Sequence, residues 1–132
     1  MIGSMTQAPP PQVWPTFGAR DARALIKFLV GAFGFEETVV YGEGDRVHHA
    51  ELAWPPGGGV MLGSADPGSA GPGTFRGYAV LDDPDTLFKR AVEHGATVIR
   101  GLTDQDYGSR EFSVTDPEGN RWSFGTYRGA PR

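Results

Sequence analysis

His49 and Glu51 stand two positions apart and are the residues whose types suit acid/base chemistry. On one strand they would point to the same face, about 7 Å apart along the backbone. That is close enough for an imidazole–carboxylate hydrogen bond, for general acid/base work, or for joint contact with a ligand. A surface His–Glu pair on a half-solvated sheet is the plainer reading of the same spacing. His48 should point the other way, as a structural or rim residue. A second group lies in Asp104-Gln105-Asp106-Tyr107-Gly108-Ser109-Arg110. Tyr107 offers a flat face with a polar tip, and Arg110 can clamp a carboxylate or phosphate. Arg110 can equally form a structural bridge to Asp104, Asp106 or Glu111. His94, near a helix end, has an ordinary capping explanation.

Several other chemistries are excluded. The chain has no cysteine, so it has no disulfide framework, thiolate metal site or cysteine nucleophile. No GxSxG, P-loop, GxGxxG after a strand, or HExxH occurs. Gly57-Gly58-Gly59 follows two prolines in a hairpin and opens no helix, so it is no phosphate cradle. A net charge of −4 with pI near 5.3 argues against nucleic acid or an anionic membrane as partner. It also favours a cationic or neutral ligand over a polyanion. No apolar run approaches the roughly 20 residues of a membrane span. Segment 1–12 lacks the basic and apolar regions of a signal peptide, so a cytoplasmic location is expected.

The elements that must position these residues are short. Glycine (20) and proline (11) make up nearly a quarter of the 132 residues, yet 39% are hydrophobic and 11% aromatic. The breakers must therefore punctuate a folded core rather than loosen it. Segment 1–12 reads as a flexible tail and 128–132 as a C-terminal tail, with one domain over 13–127 between them. An apolar stretch over 13–17 leads to a helix capped by Asp21, with Ala24, Leu25, Phe28, Leu29, Ala32 and Phe33 at helical spacing. Gly34 stops it and Phe35 closes the C-cap. Strands are predicted over 36–41, 47–54 and 60–64, the second with Ala50, Leu52 and Trp54 facing the core. After a Gly/Pro/Ser linker the pattern restarts with a strand over 74–81. Asp83-Pro84 then opens a helix with a buried stripe of Leu87, Phe88, Ala91 and Val92, stopped by Gly95. Strands over 97–102, 109–115 and 121–127 follow. Arg76, Tyr78 and Val80 should share one face, as should Arg121, Ser123 and Gly125, leaving Trp122 and Phe124 for the core.

Asp21 to Asp83 is 62 positions, Gly34 to Gly95 is 61, and Val60 to Arg121 is 61. Caps, stops and closing strands share one offset, so the chain is an internal duplication of a βαβββ unit. Module one spans 13–64, the linker 65–73 and module two 74–127.

Two such modules resemble the vicinal oxygen chelate superfamily of glyoxalases, bleomycin-resistance proteins and extradiol dioxygenases. Phe33-Gly34-Phe35 after the first helix and Phe112-Ser113-Val114-Thr115-Asp116-Pro117-Glu118-Gly119-Asn120 carry the likeness. The resemblance implies an α+β fold in which a curved mixed sheet forms a half-barrel around a cavity, with helices on its outer face. Metal-dependent members hold one divalent ion with four side chains. Aligned with them, this chain has Pro15, Leu62 or Gly63, Tyr78 and Ser123, which are not such ligands. The resemblance thus implies no metal and no cofactor, and a metal-free, bleomycin-resistance-like branch. Pro15 in the first strand also resembles members that dimerise through that strand; an edge strand of a monomer explains it too.

The expected function is binding of a small amphipathic antibiotic or metabolite by a homodimer. Tyr78, His49, Glu51, Tyr107, Arg110 and Ser123 would be contacts, and Trp14, Phe17 and Met61 apolar lining. The alternative is a glyoxalase-related lyase, isomerase or dioxygenase using a relocated metal or the His49/Glu51 pair. A third reading is an interaction module with a vestigial cavity.

Overall fold

Local chemistry sets where each helix begins and ends. The computed structural model describes residues 10–131; residues 1–9 of the expected tail lie outside them, and residues 10–12 are exposed. In α1 (Ala22–Phe28) the Asp21 carboxylate accepts from the Ala24 N–H at 3.1 Å. The helix widens into a π-helical turn over Leu29–Phe33 and ends at Gly34, whose φ of 84° favours glycine. That turn buries Leu29, Ala32 and Phe33 together. In α2 (Pro84–Glu93) Asp83 accepts from both the N–H and hydroxyl of Thr86, which holds its carboxyl below the usual range. Arg90 on α2 donates to the Gly31 and Val30 carbonyls at 2.7 and 3.1 Å, locking the two helices together.

The strands form two four-stranded mixed sheets. The first holds β1 (Thr16–Ala19), β2 (Glu36–Glu43), β3 (Arg46–Ala53) and β4 (Gly59–Ser64) in the order β1-β4-β3-β2. The second holds β5 (Arg76–Val80), β6 (Thr97–Asp104), β7 (Arg110–Thr115) and β8 (Arg121–Gly125) in the order β5-β8-β7-β6. In each, the first pair is parallel and the others antiparallel. Thr16 pairs with Met61 and Arg76 with Arg121, so the register of the parallel strand pair repeats after 60 residues. The helix caps repeat after 62, because the second strand-to-helix connection is longer. By this register, Gly18 and Gly63 are the twins of Tyr78 and Ser123. The first of the four aligned positions thus belongs to Gly18, not Pro15. Pro15 lies just before β1, an edge strand, and its carbonyl accepts from Met61 N–H at 3.0 Å within the chain.

Each sheet turns one face to a shared core. Leu52 and Leu62 of the first and Phe112, Val114, Trp122 and Phe124 of the second join α1 residues in one buried cluster. Phe33 contacts Phe124 with ring centroids 4.7 Å apart, and Trp54 Nε1 donates to the Val80 carbonyl at 2.9 Å. Val92, expected in the buried stripe of α2, is 43% exposed because Leu87 and Ala91 define the face that packs.

The turn Asp116-Pro117-Glu118-Gly119 joins the halves. Asp116 is buried, and its carboxylate accepts from the N–H groups of Glu118 and Asn120, the Asn120 amide and Trp122 Nε1, all within 3.0 Å. Asn120 in turn accepts from Phe75 N–H, and the Glu118 carboxylate from the N–H groups of Arg20 and Asp21, at 2.9 Å each for the latter pair. Gly73 passes so close beneath that a Cβ there would meet the Glu118 carbonyl at 2.5 Å, and its φ of 84° is left-handed.

Two stability predictions follow from this turn. Asp116→Ala strands buried donors, which costs about 3–5 kcal/mol and lowers Tm by roughly 10 °C or more in calorimetry. Glu118→Ala removes two charge-assisted bonds at the start of α1 and should cost about 1–3 kcal/mol in a urea titration. A midpoint unchanged by Glu118→Ala would show that the turn does not stabilise the first module.

Candidate functional site

With the apolar residues of each sheet committed to the core, strand alternation sends the intervening residues to the opposite, uncovered face. On the second sheet Tyr78, Ser123 and Ser113 lie side by side in register, and the two serine hydroxyls are 2.7 Å apart. Next to them is a groove of about 450 Å³ lined by Arg76, Tyr78, Tyr107, Glu111, Arg121, Ser123 and Tyr127. Tyr78, Tyr107 and Ser123 are thus brought together as expected from the sequence.

Glu111 also lines this groove, with its side chain only 7% exposed. Its carboxylate accepts from the Tyr107 hydroxyl at 2.9 Å, with Arg100 Nη2 at 3.5 Å. From sequence, Glu111 stands out only as a partner for Arg110. The signal was present: Phe112 and Val114 belong to the core, so Glu111 and Ser113 must face away from it. Hydrogen bonding to this carboxylate is the main cause raising the Tyr107 phenol above its ordinary value. Tyr78 donates to the Tyr127 carbonyl at 2.7 Å, and burial, first among several causes, raises its phenol above 10.0. Both phenols are therefore protonated donors at neutral pH. Gly125 floors the site, because a Cβ there would lie 2.5 Å from Glu111 Cγ and 2.8 Å from the Tyr78 hydroxyl. Tyr107 and Tyr127 meet edge to face at 5.6 Å and form one wall.

His49 and Glu51 lie on the uncovered face of the first sheet, away from this groove. The expected contact is present, with His49 Nε2 2.8 Å from Glu51 Oε2. His48 does not point to the opposite face. The β2–β3 register shifts from Tyr41/His49 to Gly42/Val47, and this bulge turns His48 outward beside His49. Both histidines line a shallow groove of about 350 Å³ with Phe17, Met61 and Gly63. Arg110 does not reach either groove. Its guanidinium holds both carboxylate oxygens of Asp85 on α2, at 2.7 and 3.1 Å, and Asp104 at 3.1 Å. Of the two roles open to it from sequence, this is the bridging one, with Asp85 as an additional partner.

A cleft of about 470 Å³ between the sheets adds Trp54, Phe75, Val80 and Trp122, and shares Arg76, Gly77 and Tyr78 with the second-sheet groove. Gly18, Gly63, Tyr78 and Ser123, the positions equivalent by register, supply only a phenol and a hydroxyl as side-chain donors. That set does not fit a divalent ion. Among the described residues, no group of three or more His, Cys, Asp or Glu side chains is placed to hold a metal. Also among them, no helix is long and apolar enough to cross a membrane.

Comparison with known proteins agrees with this architecture. A Mycobacterium bovis protein, Mb0911c, is 35% identical over 126 residues, covering 87% of this chain and 82% of its own length. The structure of TioX from Micromonospora sp. ML1 superposes with a TM-score of 0.71 at 27% identity, covering 90% of this chain and 98% of TioX. That of TnmS3, an antibiotic binding protein from Streptomyces sp. CB03234, gives 0.69 at 24% identity, covering 91% and 98%. Residues 13–124 match the pattern of the Glyoxalase/Bleomycin resistance protein/Dioxygenase superfamily, and the chain belongs to that superfamily.

Proposed function

We propose that this protein binds a small amphipathic molecule, an antibiotic or a metabolite, on the uncovered face of its second module. The observation that carries the reading is the groove around Tyr78. Aromatic walls, hydroxyl donors and one buried carboxylate converge on about 450 Å³, and the 470 Å³ cleft adjoins it through shared residues. Binding needs shape, apolar area and a few oriented polar groups, and this groove offers all three. The unsuited donor set supports placing the chain in a metal-free branch. TnmS3 lends support at the level of fold, since an antibiotic is bound on the same architecture.

The proposal includes a homodimer. Each uncovered face is open on one side, and β1 and β5 are edge strands, so a second copy would be needed to enclose a cavity. The division into modules 13–64 and 74–127, joined by 65–73, and a cytoplasmic location belong to the same reading. A second reading rests on the 2.8 Å contact between His49 and Glu51. That pair suits proton abstraction or return in a lyase or isomerase, with Glu51 orienting the imidazole.

Native mass spectrometry of the purified protein reports mass, bound compound and metal together. A dimer carrying an organic ligand is expected; stoichiometric metal lost in His49→Ala would sink the binding-only reading. In a thermal-shift screen of aromatic antibiotics and metabolites, a ligand at a hundred times its Kd should raise Tm by about 10 °C. Tyr78→Ala should abolish most of that shift. Equal protection of Tyr78→Ala would place the binding site elsewhere.

A further inference from the structure

Arg76 and Arg121 are direct neighbours across the parallel β5–β8 pair and lie on the uncovered face with Tyr78 and Ser123. Like charges at such positions repel and destabilise a sheet. Every other described arginine is engaged: five pair with carboxylates and two donate to backbone carbonyls. Among the described residues, Arg76 and Arg121 have neither an ion pair nor a side-chain hydrogen bond. The carboxylate in the groove does not serve them, since Glu111 is held by Tyr107 and Arg100. Their twins in the first module are Thr16 and Met61, so the backbone imposes no charge at this register position.

We infer that the Arg76/Arg121 pair is an anion subsite, and that the groove takes an aromatic molecule bearing one carboxylate. The inference rests on reading the groove as a small-molecule site. Two planar guanidinium forks match a carboxylate's oxygens, and an anion between them relieves their repulsion. Tyr78 and Ser123 stand two residues further along the same strands, about 7 Å away, which places a ring against the tyrosine wall. Glu111 sets the orientation. It pairs with Gly125, four residues beyond Arg121 on β8, so a carboxylate is attracted at one end of the groove and repelled at the other. The chain's net charge of −4 disfavours a polyanion without disfavouring a single carboxylate held at this local cationic end.

Isothermal titration with 2-naphthoate, its uncharged counterpart 2-naphthamide, and inorganic phosphate tests this. Naphthoate should bind wild type at least tenfold more tightly than either naphthamide or phosphate. The preference over the amide should vanish in Arg76→Gln/Arg121→Gln and persist in Lys89→Gln, which removes one like charge from α2. Circular dichroism melts confirm that the variants fold. Equal affinity for acid and amide, or a preference retained in the double variant, overturns the anion subsite while leaving the binding groove standing. Phosphate binding as tightly as naphthoate overturns the aromatic part. If neither naphthalene compound binds, the groove reading falls and the subsite with it.

Discussion

Four N–H groups converge on the buried carboxylate of Asp116, and the geometry of the candidate site descends from that convergence. The carboxylate fixes Asn120, and Asn120 receives the Phe75 N–H at the entry to β5. β5 is thereby set beside β8 in the register that puts Tyr78 next to Ser123 and Arg76 next to Arg121. The same carboxylate anchors the Trp122 indole, whose ring packs against Phe33, Phe35 and Phe75. One turn thus decides both what the second sheet buries and what it presents. Through Glu118 it also fixes where α1 begins, so the core of one half and the groove of the other share a support.

That support explains why a chain so rich in glycine and proline has a defined interior. The breakers sit where the backbone must turn sharply or pass close to another segment, as at Gly34 and Gly73. Between them the strands are short, and β3, β4, β7 and β8 contribute most of the strand residues in a single buried cluster. Groups excluded from that cluster by alternation have nowhere to go but the uncovered faces. The polar residues of the candidate site are in this sense a by-product of core packing, brought to use by their neighbours across the strands.

What was legible from sequence was the part governed by local chemistry. Caps at Asp21 and Asp83, the stops at Gly34 and Gly95, and the Asp116 turn were each readable from a few adjacent residues. So was the core role of Trp122 and Phe124 and the shared face of Tyr78 and Ser123. The His49–Glu51 contact followed from strand spacing alone. What escaped depended on partners far along the chain. The bulge that turns His48 outward is a property of the β2–β3 pairing. Arg110 found Asp85, 25 residues away on a helix, as well as the nearby Asp104. Glu111 became the groove's buried carboxylate because Tyr107 and Arg100 bond to it. The offset of 61 or 62 read from caps and stops differs from the 60 of the parallel strand pairs, a difference that only the strand pairing reveals.

Between the β1–β4 pair and the β5–β8 pair, the 60-residue register gives each position a twin, seated on the same parallel pairing. Each half therefore documents which side chains the other half's backbone tolerates, much as a sister sequence would. Thr16 and Met61 stand as a natural neutral version of Arg76 and Arg121, and Gly18 and Gly63 as an emptied version of Tyr78 and Ser123. For anyone wishing to reshape the binding face, the chain carries its own table of exchanges, and recognition can be rewritten in one half while the other keeps the fold.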